Sequence, residues 1–134
     1  MAASGRRGAR RMLLQALYQW QVSGHDLAEL RAQFAARPGF EAIDADYFFE
    51  QLQRVIEEVD RLDASISDSA DRPVAQLDPV EHAVLWIGLS ELNWRADVPR
   101  GVAINEAVEL AKSFGASDSH RYINAILDTA APIE

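Results

Sequence analysis

Four arginines open the chain at spacings that place them together on a helix. At about 100° per residue, Arg6, Arg7, Arg10 and Arg11 form a contiguous arc that Leu14, Tyr18 and Gln21 continue. A guanidinium contacts phosphate bidentately and stacks on bases, so arginines interleaved with an aromatic side chain suit single-stranded RNA. A solvated basic helix start that only aids solubility is the plainer alternative. Cations at a helix N-terminus oppose the macrodipole, a small cost that a neutral role would not require. Further aromatic and acidic positions bear on the chemistry. Trp86 projects into a polar sector with His82, Ser90 and Asn93, away from the stripe of Val80, Val84, Leu85, Ile87 and Leu92. An exposed indole there would stack on a base or meet a partner; a second element covering the ring is the competing expectation. Trp94 lies nearer the apolar stripe and is expected in the core. Tyr122, beside Arg121, either holds a base or packs at the periphery with its hydroxyl in water. Glu81 reads as a capping residue.

Enzyme chemistries find little footing in these residues. The chain has no cysteine, which removes disulfides, thiolate metal sites and cysteine nucleophiles together. His25, His82 and His120 are scattered, and no pair has the spacing of helix-borne metal ligands. There is no phosphate-binding glycine loop, no GxSxG turn and no dinucleotide fingerprint. Glu57, Glu58 and Asp60 avoid the apolar seam through Val55, Val59 and Leu62 and read as a solvated face. No cofactor, metal or catalytic residue is therefore expected.

The chain has 134 residues and a net charge of −8, which argues against indiscriminate binding to nucleic acid. The charge is unevenly placed. Residues 1–11 carry +4 and no acid, leaving nine basic against twenty-one acidic residues in the remainder. A length of this order fits one domain, or two subdomains sharing a core, and the composition is that of a globular protein. No apolar run reaches the roughly 20 residues of a membrane span, and the start lacks the apolar segment of a secretory signal. A cytoplasmic, membrane-free protein is expected.

Helical periodicity positions the arginines and everything after them. Ala9, Met12, Leu13, Ala16, Leu17 and Trp20 give a first helix over about Arg6 to Val22, stopped by Ser23-Gly24. A weaker helix covers about Leu27 to Ala36. Phe48, Leu52, Val55, Val59, Leu62 and Ile66 predict one long helix from about Asp44 to Ala70, and Asp71 to Leu77 with Pro73 is the candidate boundary between halves. Asp78-Pro79-Val80-Glu81 resembles a capping box opening a helix to about Trp94. Pro99-Arg100-Gly101 precedes a fifth helix with Ile104, Ala107, Val108 and Ala111 buried and Gly115 as a left-handed stop. Ser117 is expected to cap the sixth, in which Ile123, Ile126, Leu127 and Ala130 face inward until Pro132. No useful strand-like alternation occurs, so the fold class is all-α.

Three stretches together resemble the NusB family. They are Arg6-Arg7-Gly8-Ala9-Arg10 leading to Gln15-Ala16-Leu17-Tyr18-Gln19-Trp20; Leu77-Asp78-Pro79-Val80-Glu81 through Glu91-Leu92; and Asp97-Val98-Pro99 through Asp118-Ser119-His120. The run from Val102 to Gly115 is the most specific, and Asn124 through Leu127-Asp128 continues it. The resemblance implies two small packed helical bundles of about six to seven helices, over about residues 1–72 and 77–134. It implies a factor in transcription antitermination and ribosomal RNA synthesis, working with the transcription elongation complex. Such proteins pair with the ribosomal protein NusE, and the heterodimer binds single-stranded boxA RNA. By position, Arg6, Arg7 and Arg10 would meet RNA with Tyr122 nearby, while Tyr18 and Glu81 would fall at or near the NusE contact and Asp118 is a weaker candidate there; Arg11 joins the RNA-binding set from its place on the same arc. A homodimer of the free chain through that face stays open.

The sequence departs from the family where many relatives carry arginine at Trp86 and a basic residue at Trp94, which suggests that Trp86 replaces a salt-sensitive contact with stacking. Asn105 and Glu106 are typical of the family, and a buried amide and a surface acid are their plainer readings. Two other functions compete. One is a helical protein-protein adaptor that never touches RNA; the other is an RNA-modifying enzyme, because certain ribosomal RNA cytosine methyltransferases carry a NusB-like N-terminal domain, a reading that needs a longer protein.

Overall fold

The computed structural model describes residues 2–71 and 73–134, with the side chains of residues 2–4 also left aside. Arg72, within the stretch expected to separate the halves, lies outside the described residues. The helices are α1 (Ala2–Ser23), α2 (Leu27–Ala35), α3 (Ala45–Glu57), α4 (Val59–Ser69), α5 (Pro79–Trp94), α6 (Arg100–Phe114) and α7 (Ser119–Thr129), with short 3-10 turns at Phe40–Ala42 and Val74–Gln76. Among the described residues there is no strand, and the all-α class follows.

The chain divides into two helical units, the first ending at Glu57 and the second beginning at Glu58. The division falls earlier than the Asp71–Leu77 stretch chosen from sequence, because the expected long helix is two helices. Phe48, Leu52 and Val55 are fully buried in α3, and Leu62 and Ile66 in α4. The first set serves the core of one unit and the second set that of the other. Glu58, at φ −107° and ψ 17°, makes the break between them.

In the first unit α1, α2 and α3 pack on one another. Leu13 and Leu17 of α1, Leu30 and Phe34 of α2, and Tyr47, Phe48 and Leu52 of α3 are buried. Phe34, Phe40 and Phe49 surround the Phe48 ring at centroid distances of 5.8, 5.7 and 5.6 Å, close enough to add about 0.5–1.5 kcal/mol per pair beyond area burial. Gly24 turns the chain out of α1 at φ +73°, a conformation that costs glycine little. Asp26 then caps α2 in a reciprocal box with Glu29, at 2.9 and 3.1 Å.

In the second unit α5 is packed against α4, α6 and α7, and every residue from Ala83 to Glu91 is buried. Asp78 caps it as expected, its Oδ1 accepting from the Glu81 amide at 2.8 Å. A Cβ at Gly88 would stand 2.7 Å from Leu127 Cδ1, so glycine lets α7 lie close on α5. Several local expectations are corrected here. Gly115 ends α6 in extended backbone, φ −92° and ψ 177°, so the stop is not left-handed. Asp118, not Ser117, is the N-cap of α7, while the Ser119 hydroxyl donates to the Ala116 carbonyl at 2.9 Å. Ile104, Val108 and Ala130 are only half-buried.

The order of Asn105 and Glu106 is also reversed: the amide is exposed and the acid is 8% exposed. Glu106 stands three residues after Ala103 and four before Leu110, both buried, so helix phase carries it inward whatever its charge.

Candidate nucleic-acid and partner surface

The four arginines separate into two rows, each one turn long. In the inner row Arg6 donates from Nε to Asp44 Oδ2 at 3.0 Å and lies 4.6 Å over the Tyr47 ring. Arg10 stands 5.5 Å over the same ring and is 4% exposed. That burial corrects the expectation of a phosphate contact at Arg10. Its guanidinium is spent on an interior aromatic face, an attraction that strengthens away from water. In the outer row Arg7 and Arg11 are both exposed.

Tyr18 and Val22, at 44% and 56% exposure, extend the outer row toward the end of α1. Arg7, Arg11, Tyr18 and Val22 fall within about 60° of helical arc, so one line of α1 presents two cations, then an aromatic, then an aliphatic group. Gln15, on the same side, accepts from Arg37. Leu14, expected in the outward arc, is buried at 2%, and Gln21 folds back to donate to the Leu17 carbonyl at 3.3 Å.

Trp86 is the largest correction. It is 2% exposed, its Nε1 donates to Asp63 Oδ1 at 2.8 Å, and its ring lies 4.1 Å from that of His82. His82 Nε2 approaches the same oxygen at 2.6 Å. Within the polar sector of α5, His82 and Trp86 therefore face Asp63 on α4, and the buried indole is not the exposed ring that stacking on RNA would need. Trp94 is half-buried, with the Arg61 guanidinium 5.7 Å from its ring.

Glu81 is 7% exposed and leaves a partner little to touch, whereas Asp118 is exposed. Tyr122 is half-buried on α7 and Arg121 beside it is exposed. Asp44 and Tyr47, which surround the inner arginines, were not singled out from sequence. The available signal was local only: Asp44 Oδ1 accepts from the Tyr47 amide at 3.1 Å, a helix-capping spacing, and nothing local links either to Arg6. Among the described residues no group of three His, Cys, Asp or Glu side chains is placed to hold a metal ion, and no helix is long and apolar enough to cross a membrane.

Fold and surface define an all-α protein of two helical units whose first helix carries an outward cationic and aromatic stripe. The family model described as the NusB family matches residues 7–132, and the chain belongs to that family. It is 45% identical over 130 residues to the transcription antitermination protein NusB of Idiomarina loihiensis, covering 97% of this chain and 94% of the relative. It is 47% identical over 133 residues to the protein of that name from Escherichia coli, covering 99% and 96%. Among solved structures it is similar to T. maritima NusB, with a TM-score of 0.82 at 27% identity over 92% of this chain and 87% of that one. It also shares its fold with a structure of the antitermination factors NusB and NusE in complex with dsRNA, with a TM-score of 0.78 at 22% identity over 93% and 94%.

Proposed function

We propose that this protein is a transcription antitermination factor that pairs with NusE and binds boxA RNA during ribosomal RNA synthesis, in the cytoplasm and on the transcription elongation complex. Family membership supports the biological role, and the outward row of Arg7 and Arg11 carries the RNA reading. The part is that of a scaffold: it needs positioned charge and a docking face, and no catalytic group.

Arg7 and Arg11 would neutralise successive phosphates of a single strand and release their counterions. Arg6, still partly exposed, lies beside them, and on the second unit Tyr122 with Arg121 would offer bases an aromatic and a cation of its own. Tyr18 and Val22 continue the stripe as an apolar patch that NusE would cover, with Asp118 a second contact. Glu81, sheltered at the capped start of α5, would lie near that contact. The NusE-bound protein then presents a composite basic surface.

Fluorescence anisotropy tests this with labelled boxA RNA, a scrambled strand and a duplex control, each with and without NusE across a salt series. The expected result is a preference for boxA, tightened by NusE. In Arg7→Ala/Arg11→Ala the slope of log affinity against log salt should become shallower by about 0.7 for each lost phosphate contact. Equal binding with and without NusE would remove the composite surface, and no binding to any RNA would leave a protein-only adaptor.

A further inference from the structure

We infer that Asp44 and Tyr47 are positioning residues for RNA binding: they hold Arg6 and Arg10 on the inside so that α1 stays helical to its start and presents Arg7 and Arg11 outward. The inference rests on the proposed RNA-binding function and adds to it two residues that need never touch RNA.

Asp44 ties the first turns of α1 to the start of α3 through two hydrogen bonds to α1 and one to α3. Its amide donates to the Gly5 carbonyl at 2.9 Å, its Oδ2 accepts from Arg6 at 3.0 Å, and its Oδ1 caps Tyr47 at 3.1 Å. Tyr47 is 1% exposed and lies under both inner guanidiniums. The approach is close, since a Cβ at Gly5 would stand 3.4 Å from the Asp44 amide nitrogen and one at Gly8 would stand 2.9 Å from Ile43 Cγ2.

The start of α1 needs such an anchor. Its first turn holds no acid, and its first four amides have no partner within the helix. Left to itself this end would fray, and the outer row, which begins at Arg7, would start from loosened chain. Anchored, they are ordered before RNA arrives, and less conformational freedom is lost on binding.

The sign of one substitution separates this from simple electrostatics. Asp44 brings a negative charge close to the RNA-binding row, so if net charge were its whole contribution, Asp44→Asn would bind RNA more tightly. Asparagine caps a helix as well as aspartate does, so the fold is kept while the ion pair is lost. Positioning gives the opposite result: Asp44→Asn should bind boxA RNA about fivefold more weakly, the scale of roughly 1 kcal/mol of lost preorganisation. The salt slope should stay that of wild type, because Arg7 and Arg11 still reach the phosphates.

The experiment is anisotropy with labelled boxA RNA and NusE on wild type, Asp44→Asn, Arg6→Ala and the double variant, with thermal melts by circular dichroism alongside. Asp44→Asn should weaken binding in the wild-type background and have no further effect in the Arg6→Ala background. If Asp44→Asn fails to fold, Arg6→Lys takes its place. It keeps the charge but loses the planar stack on Tyr47, so weaker binding at unchanged slope supports positioning, and wild-type affinity refutes it. Tighter or unchanged binding by folded Asp44→Asn, while Arg7→Ala/Arg11→Ala still flattens the salt slope, overturns the positioning role alone. Failure of wild type to bind RNA removes the functional reading beneath it as well.

Discussion

Each unit joins a large aromatic ring to a carboxylate, and the two joints serve opposite ends. In the first, Asp44 and Tyr47 gather two arginines inward and leave the neighbouring two, with Tyr18, on the outside of α1. In the second, a single oxygen of Asp63 receives both His82 and Trp86, and the indole turns inward while Asp63 stays partly exposed. The difference lies in the helix that carries each group. α1 packs against α2 and α3 and keeps an open line along its length, whereas α5 is packed against α4, α6 and α7. A polar residue on a helix marks a surface only if the helix has a free side.

Four substitutions would break or sharpen that contrast. The largest effect is expected for Trp86→Ala, which empties a buried indole site and strips Asp63 of a donor. It should cost about 3–5 kcal/mol in urea unfolding followed by circular dichroism. Undiminished stability with a lost RNA affinity would return Trp86 to the surface and undo the contrast. A smaller effect should divide the arginines: Arg10→Ala is expected to lower stability by roughly 1–2 kcal/mol through lost stacking and packing. Arg11→Ala should stay within about 0.5 kcal/mol of wild type, and equal costs would mean that the two rows are not distinct. Tyr18→Ala should change stability least, by under about 0.5 kcal/mol. Its effect belongs to NusE binding in calorimetry, where a loss of roughly 1–2 kcal/mol is expected for an exposed aromatic anchor.

Most helices were legible because their apolar residues recur at three- and four-residue steps, and the start of α5 was legible because Asp78 and Pro79 are local signals. The break at Glu58 was not, since an apolar seam runs through it without a change of phase and only the destination of each half differs. The outer arginines and Tyr18 emerged from a projection of α1, where one side is open. The same projection failed at Trp86 because it registers polar neighbours on α5 and cannot register Asp63, which lies 23 positions away in sequence. Arg10 failed for a related reason: its partner Tyr47 belongs to another helix, and arginine in sequence carries no mark of which way its long side chain folds. Glu106 is the reverse case: its charge points to the surface, while helix phase carries it inward.

The contact between Gly8 and Ile43 also constrains how the family can vary. The glycine there supplies clearance, since a Cβ would stand 2.9 Å from the isoleucine methyl. Positions 8 and 43 cannot drift independently: a bulkier residue at one requires a trimmed or rotated neighbour at the other. A lineage that enlarges residue 8 is expected either to turn the isoleucine methyl aside or to replace it, and a pair of substitutions inherited together would be the historical trace of the second route.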